Sequence, residues 1–272
     1  MRLSVSAWCL QEQLFSGKIT IYDFINFCHE KGIQAVELLD CFVKEEEIEE
    51  VNRLLRKFNI RVSSYSVSND FALTDSPERK EQLRYIKKSM DTATALGTGI
   101  MRVFGGSLKD GLAPETAEDW IVECYREIVP FAEEKGITMV LENHCPLAGT
   151  SDQVKRILDR VGSKALKSNA DIGNFLLANE NSLEAVKNLE SKIGYVHLKD
   201  FKKLEYGEGF TAKDGSIYQG AVLGKGDVPV AKIINHLKDK NYSGYLSIEY
   251  EGPGDPFLGT LECIEYVHKQ LV

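Results

Sequence analysis

Short apolar runs rich in β-branched residues alternate along the chain with longer segments of helical periodicity, such as TIYDFINFCHEKG and EEIEEVNRLLRKFN. Eight runs are predicted strands: LSVSA from Leu3, AVELL from Ala35, RVSSYSV from Arg61, IMRVF from Ile100, TMVLEN from Thr138, LKSNADI from Leu166, IGYVHLKD from Ile193 and YLSIEYE from Tyr245. Eight strand–helix repeats of about 34 residues favour a parallel sheet that closes on itself. The predicted fold is α/β, a single (β/α)8 TIM barrel formed by one domain over residues 1–272. A doubly wound open sheet is the competing architecture.

Glycines and capping residues mark the predicted ends of the helices. A glycine directly after the last periodic residue suits the left-handed conformation that ends a helix, and four fit: Gly32, Gly97, Gly136 and Gly162. Three helix starts have candidate N-caps, which are Thr20, Ser76 before Pro77, and Ser151 with Asp152. The segment from Lys202 to Pro229 lacks periodicity and is predicted to be a long loop after the seventh strand.

The composition excludes several classes of partner. The chain has 33 Lys+Arg against 41 Asp+Glu, and a formal charge of −8 repels nucleic acid and anionic membranes. The N-terminal MRLSVSAWCL has no apolar leader, and no window approaches about 18 apolar residues, which predicts a soluble, cytoplasmic protein. Six cysteines without a C-x-x-C pair are predicted to be reduced thiols that pack as small hydrophobes. The sequence is compatible with a homo-oligomer.

Polar side chains close four of the apolar runs: Glu142 in MVLENH, Asp171 in SNADIGNF, His197 in YVHLKDF and Glu249 in LSIEYEG. The C-terminal ends of barrel strands share one mouth, so an imidazole and three carboxylates would converge there. Carboxylates this close repel one another unless a cation compensates, and nitrogen and oxygen ligands suit Mn²⁺, Mg²⁺, Co²⁺ or Zn²⁺. Each residue alone is more often a cap, an ion-pair partner or a core histidine. The predicted metal site therefore rests on the set of four.

The motifs ENH, DIGNF, HLKD, GKGDVP and SIEYEG, in this order, resemble the xylose isomerase-like TIM-barrel superfamily, the sugar phosphate isomerase and epimerase group. The resemblance runs from the first strand to the last helix, and SAWCL and SVSNDF extend it more weakly into the first half. It implies that Glu142, Asp171, His197 and Glu249 hold one divalent cation. It also implies that Glu142 and Glu249 are the catalytic acid/base pair.

The activity implied by the resemblance is that of a metal-dependent sugar isomerase or epimerase. Such an enzyme removes a proton next to a carbonyl and forms an enediolate that the metal stabilises. Two bases on opposite faces of the sugar invert the carbon, whereas one base that moves the proton along one face isomerises the sugar. Elimination from the enediolate would instead make a dehydratase or lyase of a keto-sugar or inosose. A non-catalytic sugar-binding barrel is the remaining alternative.

Six further residues are candidate substrate contacts: His144, Asn174, Lys199, Arg102, Asn69 and Trp8. Asn174 stands where many epimerases of the superfamily carry a histidine, and an amide can hydrogen-bond a sugar hydroxyl but cannot carry charge. Lys199 alternates to the face of His197 and is predicted either to reach the substrate or to pair with Asp200 or Glu249. The other candidates have ordinary rim, loop, core or packing roles as their alternatives.

A phosphate group would need a glycine-rich turn near strands seven and eight, and EGPGDP is the only such stretch. The flanking Glu251 and Asp255 would repel a phosphate dianion, although Lys199, Lys202 and Lys203 could offset them. The predicted substrate is therefore an unphosphorylated small carbohydrate or cyclitol.

Overall fold

The computed structural model describes residues 1–271, and Val272, the last residue of the predicted domain, lies outside the described residues. The strands are β1 (Arg2–Ser6), β2 (Ala35–Leu39), β3 (Arg61–Ser66), β4 (Ile100–Val103), β5 (Thr138–Glu142), β6 (Leu166–Asp171), β7 (Ile193–Leu198), β8 (Asp200–Leu204), β9 (Phe210–Thr211), β10 (Ile217–Ala221) and β11 (Tyr245–Ile248). The α-helices are α1 (Gln11–Phe15), α2 (Ile21–Glu30), α3 (Ile48–Phe58), α4 (Ser76–Ala95), α5 (Pro114–Lys135), α6 (Cys145–Ala148), α7 (Ser151–Val161), α8 (Asn174–Leu177), α9 (Ser182–Leu189), α10 (Val230–Asp239) and α11 (Pro256–Leu271). Short 3-10 helices cover Ala7–Leu10 and Glu45–Glu47.

Eight parallel strands close into a barrel in the order β1-β11-β7-β6-β5-β4-β3-β2. Each of the eight predicted runs overlaps one of these strands, so the predicted TIM barrel is confirmed and the open sheet is excluded. Several strands end a residue or more before the predicted run does. The polar residues that close the runs therefore lie at or just beyond the last hydrogen-bonded pairs, at the mouth of the barrel.

The main apolar core fills the layer between the barrel and the helices, and a smaller cluster of Ala35, Val140, Tyr195 and Tyr245 lies inside the barrel. Above that cluster, toward the mouth, polar groups line the interior. The Tyr195 hydroxyl, for example, forms a hydrogen bond of 2.7 Å with Ser63 Oγ. This polar layer supports charged groups at the mouth. Within residues 1–271, no helix has both the length and the apolar composition needed to cross a bilayer.

Most of the predicted helix ends are confirmed. All four predicted glycines adopt positive φ values, 71° at Gly32, 74° at Gly97, 66° at Gly136 and 74° at Gly162. Thr20 caps α2, with its side chain accepting a backbone N–H. Two caps lie one residue earlier than predicted, at Asp75 for α4 and at Thr150 for α7. The Thr150 hydroxyl accepts a backbone N–H, and Pro77 is tolerated inside the first turn of α4 because that turn needs no N–H from it.

The loop predicted from Lys202 to Pro229 is wrong in part, because an antiparallel sheet of order β8-β10-β9 occupies much of it. β9 has only two residues, and β8 (DFKKL) and β10 (IYQGA) lack the apolar runs that mark the barrel strands, so the sequence gives no strand signal there. The first strand of this sheet, β8, begins two residues after the end of β7. The sheet therefore stands beside the mouth of the barrel.

Asp200 ties the segment after β10 to the end of β7. Its carboxylate accepts hydrogen bonds from the backbone N–H groups of Gly224, Gly226 and Val228, at 2.9, 3.0 and 3.0 Å. A Cβ at Gly226 would lie 2.1 Å from Asp200 Oδ1, so this approach requires glycine. Asp200 is thus committed to the loop.

Five cysteines are free thiols, and the side chain of the sixth, Cys145, lies outside what the structure describes. Cys9, Cys28, Cys124 and Cys263 are buried, as predicted. The prediction that each cysteine packs as a small hydrophobe is wrong for Cys41, which is exposed in the turn after β2.

Candidate metal centre

Four side chains from consecutive barrel strands meet at the C-terminal mouth. Glu142 ends β5, Asp171 ends β6, His197 lies in β7, and Glu249 directly follows β11. One potential ligand atom of each residue lies within 4.8 Å of the others. All four residues are buried. The fold therefore brings together the four residues that the sequence grouped.

The imidazole of His197 stands at the centre of the group. Its Nδ1 lies 3.4 Å from Glu142 Oε2, 3.6 Å from Glu249 Oε2 and 3.9 Å from Asp171 Oδ2. Among the described residues, His197 Nδ1, Asp171 Oδ2 and Glu249 Oε2 have no hydrogen-bond partner although they are buried. Buried polar atoms are rarely left unpaired. A ring nitrogen and carboxylate oxygens that converge without hydrogen-bond partners fit a divalent cation.

Asp171 is held so that only one carboxylate oxygen faces the group. The Asn143 side chain donates to the Asp171 carbonyl at 2.9 Å and accepts from its backbone N–H at 2.7 Å. Asp171 Oδ1 accepts from the backbone N–H groups of Gly173 and Asn174, at 2.9 and 3.0 Å. Because Oδ1 is occupied, Oδ2 is the atom left to bind a cation.

One ion pair and two amide donors orient the carboxylate of Glu142. Arg102 Nε lies 3.2 Å from Oε2, Asn169 Nδ2 donates to Oε2 at 3.3 Å, and Asn174 Nδ2 donates to Oε1 at 3.3 Å. Two predicted substrate contacts, Arg102 and Asn174, therefore touch this carboxylate. Sequence reasoning missed Asn169, although it lies two residues before Asp171 and so on the same face of β6.

Glu37, in the middle of β2, contacts His197 at Nε2, the ring nitrogen that does not face the other three residues. Both Glu37 carboxylate oxygens lie 3.0 Å from His197 Nε2, and the hydroxyls of Ser66 and Ser247 donate to them at 2.5 and 2.7 Å. A carboxylate in this position fixes the ring and leaves Nδ1 facing the other three residues. Sequence reasoning missed Glu37. The available signal was an acidic residue inside the apolar run AVELL.

Lys199 lies against the carboxylates of the group. Its Nζ is 2.5 Å from Glu249 Oε2, 3.1 Å from Asp171 Oδ2 and 2.8 Å from Glu251 Oε2, close enough for ion pairs although the first two are not aligned as hydrogen bonds. Of the two partners considered for Lys199 from the sequence, Glu249 forms the ion pair. Asp200 instead accepts hydrogen bonds from the segment after β10. Five carboxylates and two permanently charged cations, Lys199 and Arg102, lie in this region. The carboxylates are those of Glu37, Glu142, Asp171, Glu249 and Glu251. The excess of negative charge favours binding of a divalent cation.

The pKa values of the group reflect this crowding of charge. Burial raises the pKa of Glu142, and burial raises the pKa of Asp171 to about 6. Burial also disfavours ionised Glu249, but Lys199 and His197 together bring its pKa down to about 2. Burial lowers the pKa of His197, yet the carboxylates, Glu37 first, raise it to about 10. A cation bound at Nδ1 would replace a proton there.

The remaining candidate residues lie around the rim. The Asn69 amide donates to the Phe104 carbonyl at 2.7 Å and accepts from its N–H at 2.8 Å, so both ends are committed to backbone. Trp8 Nε1 donates to Glu251 Oε1 at 2.7 Å. His144 is exposed, with its ring 5.1 Å from the ring of Phe104. The roles of these three in substrate binding stay predictions.

Comparison with known proteins assigns the class. The family described as xylose isomerase-like TIM barrel matches residues 25–269, and the chain belongs to it, which confirms the resemblance seen in the motifs. An inosose dehydratase of Clostridium perfringens (strain 13 / Type A) is 25% identical over 240 residues, 81% of this chain and 78% of that protein. A fructoselysine 3-epimerase of Escherichia coli O157:H7 is 22% identical over 216 residues, 76% of this chain and 74% of that protein.

A solved structure shares the fold over the whole chain. It is that of the IolI protein with a zinc atom bound, which superposes with a TM-score of 0.81 at 17% identity and covers 100% of this chain and 98% of that one. The relatives thus include a dehydratase, an epimerase and a zinc-containing barrel.

Proposed function

We propose that this chain is a divalent-metal-dependent isomerase or epimerase of an unphosphorylated small carbohydrate or cyclitol, with residues 1–272 acting as one domain. The observation that carries the proposal is the convergence beside Glu142 of three buried atoms that lack an aligned hydrogen bond, His197 Nδ1, Asp171 Oδ2 and Glu249 Oε2. The zinc in the related barrel supports a cation here, and Mn²⁺, Mg²⁺ and Co²⁺ suit the same ligands.

The two glutamates are the proposed acid/base pair. When bound, a cation at the site would polarise the carbonyl and the neighbouring hydroxyl of the substrate. Glu142 and Glu249 stand at opposite ends of the arc formed by β5, β6, β7 and β11. One carboxylate can therefore remove the proton next to the carbonyl and the other can return it from the far side. Arg102 and Asn174 orient the first carboxylate, and Lys199 orients the second.

A dehydratase is the second candidate, favoured by the similarity to an inosose dehydratase over 81% of the chain. The same glutamates would remove the proton, and a hydroxyl on the next carbon would leave. The glutamate that does not remove the proton would then protonate the departing hydroxyl. A non-catalytic sugar-binding barrel is supported least, because binding alone needs no pair of opposed glutamates.

The ion pairs near the EGPGDP turn support a substrate without phosphate. Glu251 pairs with Lys199, so that ammonium is already engaged by carboxylates. Lys202, the next candidate to offset the acids, instead pairs with Asp227 at 2.6 Å and is largely exposed. A phosphate at this turn would therefore face the carboxylates of Glu251 and Asp255 without a free ammonium from either lysine.

The proposed function predicts exchange of a substrate proton with solvent. Wild-type enzyme supplied with Mg²⁺, Mn²⁺, Co²⁺ or Zn²⁺ is incubated in D₂O with a panel of unphosphorylated keto-sugars and inososes. After removal of the metal by a chelator, proton NMR is expected to show loss of the signal at the carbon next to the carbonyl. An inverted or isomerised product indicates an epimerase or isomerase, and a product that has lost water indicates a dehydratase.

The controls for this experiment are the chelated enzyme and the variant Glu118→Gln. Glu118 is a buried glutamate of α5, and its carboxylate pairs with Arg156 and Arg160 of α7 rather than with a residue of the candidate metal centre. The Glu118→Gln variant should still exchange the substrate proton with solvent, and the chelated wild-type enzyme should not. Absence of exchange with every compound and every metal would contradict the enzymatic proposal.

Glu37→Gln is expected to weaken metal binding. The amide cannot stabilise the His197 ring as the carboxylate does, and the loss of such an outer partner costs about 10- to 100-fold in metal affinity. Titration calorimetry with Zn²⁺ or Mn²⁺ measures the change, with Glu118→Gln as the control for replacing a buried glutamate. An unchanged dissociation constant would show that Glu37 does not support a metal ligand.

A further inference from the structure

The position of Glu249 depends on backbone just beyond the end of a strand. The pairing of β11 with β1 ends at Ile248, opposite Val5, and β1 itself ends one residue later at Ser6. On the β7 side, the Glu249 N–H still donates to the Leu198 carbonyl at 3.0 Å. On the β1 side no further strand pair follows, so another group must hold the chain where Glu249 enters the site.

The thiol of Cys9 supplies that group. Its Sγ donates to the Ile248 carbonyl at 3.2 Å and accepts from the Tyr250 N–H at 3.2 Å. One side chain therefore forms hydrogen bonds with the backbone of the residue before Glu249 and of the residue after it. In an extended chain these two groups point to the same side, so the thiol takes the place of the next β1 residue in the ladder.

The chemistry of a buried thiol suits both contacts. Cys9 is buried at 3% exposure, and burial raises the pKa of its thiol far above the usual value, so the sulfur keeps its proton. A protonated thiol can donate one hydrogen bond and accept another. An aliphatic side chain of similar size would fill the space but would leave the buried Tyr250 N–H without an acceptor, which is costly.

The same turn holds the next part of the segment through a second side chain. Trp8, adjacent to Cys9 in the 3-10 helix Ala7–Leu10, donates from its indole to Glu251 Oε1, whose other oxygen pairs with Lys199. The turn after β1 thus contacts the chain on both sides of Glu249. Its own geometry is set by the Ser6 side chain, which accepts the Trp8 N–H at 3.3 Å.

We propose that Cys9 is a positioning residue for Glu249. Its two hydrogen bonds fix the backbone of Ile248 and Tyr250 and so fix the direction in which the Glu249 carboxylate enters the metal centre. This inference rests on the proposed function, because it assigns Cys9 a role in metal binding and proton transfer that a small core hydrophobe would not have.

The test compares Cys9→Ala with Cys28→Ala. Both replacements remove a buried thiol of equal size, but Cys28 lies in α2 within the core between the barrel and the helices. Cys9→Ala should raise the Co²⁺ dissociation constant about tenfold, as the loss of an outer-shell contact does, and alter the Co²⁺ ligand-field absorption. It should lower kcat more than it changes KM. Cys28→Ala should leave all three quantities at their wild-type values.

Cys9→Ser provides the rescue, because a hydroxyl can donate and accept the same two hydrogen bonds. Its Co²⁺ affinity should lie between those of wild type and Cys9→Ala. If Cys9→Ala and Cys28→Ala bind Co²⁺ equally well and give the same spectrum, the positioning role is wrong while the proposed function stands.

Hydrogen–deuterium exchange of the metal-free protein separates the two proposals further. Faster exchange of the peptide around Glu249 in Cys9→Ala alone would support the role of the thiol in holding the backbone, and equal exchange in both alanine variants would overturn it. A wild-type chain that binds no divalent cation would contradict the proposed function, and the exchange result would still decide whether Cys9 holds this backbone.

Discussion

Glu249→Gln is expected to lower kcat by about 10³-fold, within the range that a positioned acid or base contributes. The amide keeps the size of the side chain and one oxygen for a cation, but it cannot accept a proton. The Lys199 ammonium, 2.5 Å from Glu249 Oε2, would also lose its anionic partner there. Steady-state kinetics on the substrate found by D₂O exchange measures the effect, and Glu118→Gln is the matched control.

Exchange in each direction of the reaction makes this prediction sharper. If Glu142 and Glu249 act on opposite faces of the sugar, each epimer loses its proton to a different glutamate. Glu249→Gln should then abolish solvent exchange from one epimer and leave exchange from the other, and Glu142→Gln should give the reverse pattern. Loss of exchange from both epimers in one variant and from neither in the other would indicate a single base. A rate in Glu249→Gln within about threefold of wild type would contradict any acid/base role of Glu249, since such a role contributes at least about 10²-fold.

His197→Ala is expected to reduce metal affinity by more than about 100-fold, beyond the loss caused by removing an outer partner of a ligand. The variant removes the Nδ1 atom around which the three carboxylates gather at 3.4 to 3.9 Å. Elemental analysis after dialysis measures the metal content, and calorimetry measures the affinity. Metal content equal to that of wild type would contradict the assignment of His197 as a ligand.

Two further variants separate metal loss from damage to the fold. His197→Ala leaves the buried Glu37 carboxylate without its imidazole partner, which by itself destabilises a protein. His197→Gln keeps an amide donor toward Glu37 but has no imidazole, so it should be the more stable of the two variants and still bind metal weakly. His236→Ala, in α10 and paired with Glu190, is the control for loss of a histidine.

The fold was predictable from the sequence because each barrel strand is a distinct apolar run and each run is followed by an amphipathic helix. The four residues of the candidate metal centre were predictable for a related reason, since a polar residue that closes an apolar run lies at the mouth of a parallel barrel. Glu142, Asp171, His197 and Glu249 all follow this rule.

The residues that were missed do not follow that rule. Glu37 lies inside its strand rather than at the end, and its contact with His197 crosses the barrel between β2 and β7, which are not neighbours. Asn169 likewise lies inside its strand, two residues before the polar residue that closes the run. Cys9 reads as a small hydrophobe because its hydrogen bonds join residues 239 and 241 positions apart in the chain. Contacts of this kind depend on tertiary structure and leave no local pattern.

The grouping of the candidate metal centre on β5, β6, β7 and β11 gives the loops of the barrel a different tolerance to change. Strands β1 to β4 contribute supporting contacts such as Glu37 and Arg102, but the loops that follow them contribute no member of the four-residue group. The loops that follow β2, β3 and β4 can be exchanged or redesigned while the four candidate ligands stay in place. The turn after β1 must be kept, because Trp8 and Cys9 contact the chain on both sides of Glu249. The loops after β2, β3 and β4 are therefore the place to alter substrate preference, and the turn after β1 and the second half of the chain are the parts to preserve.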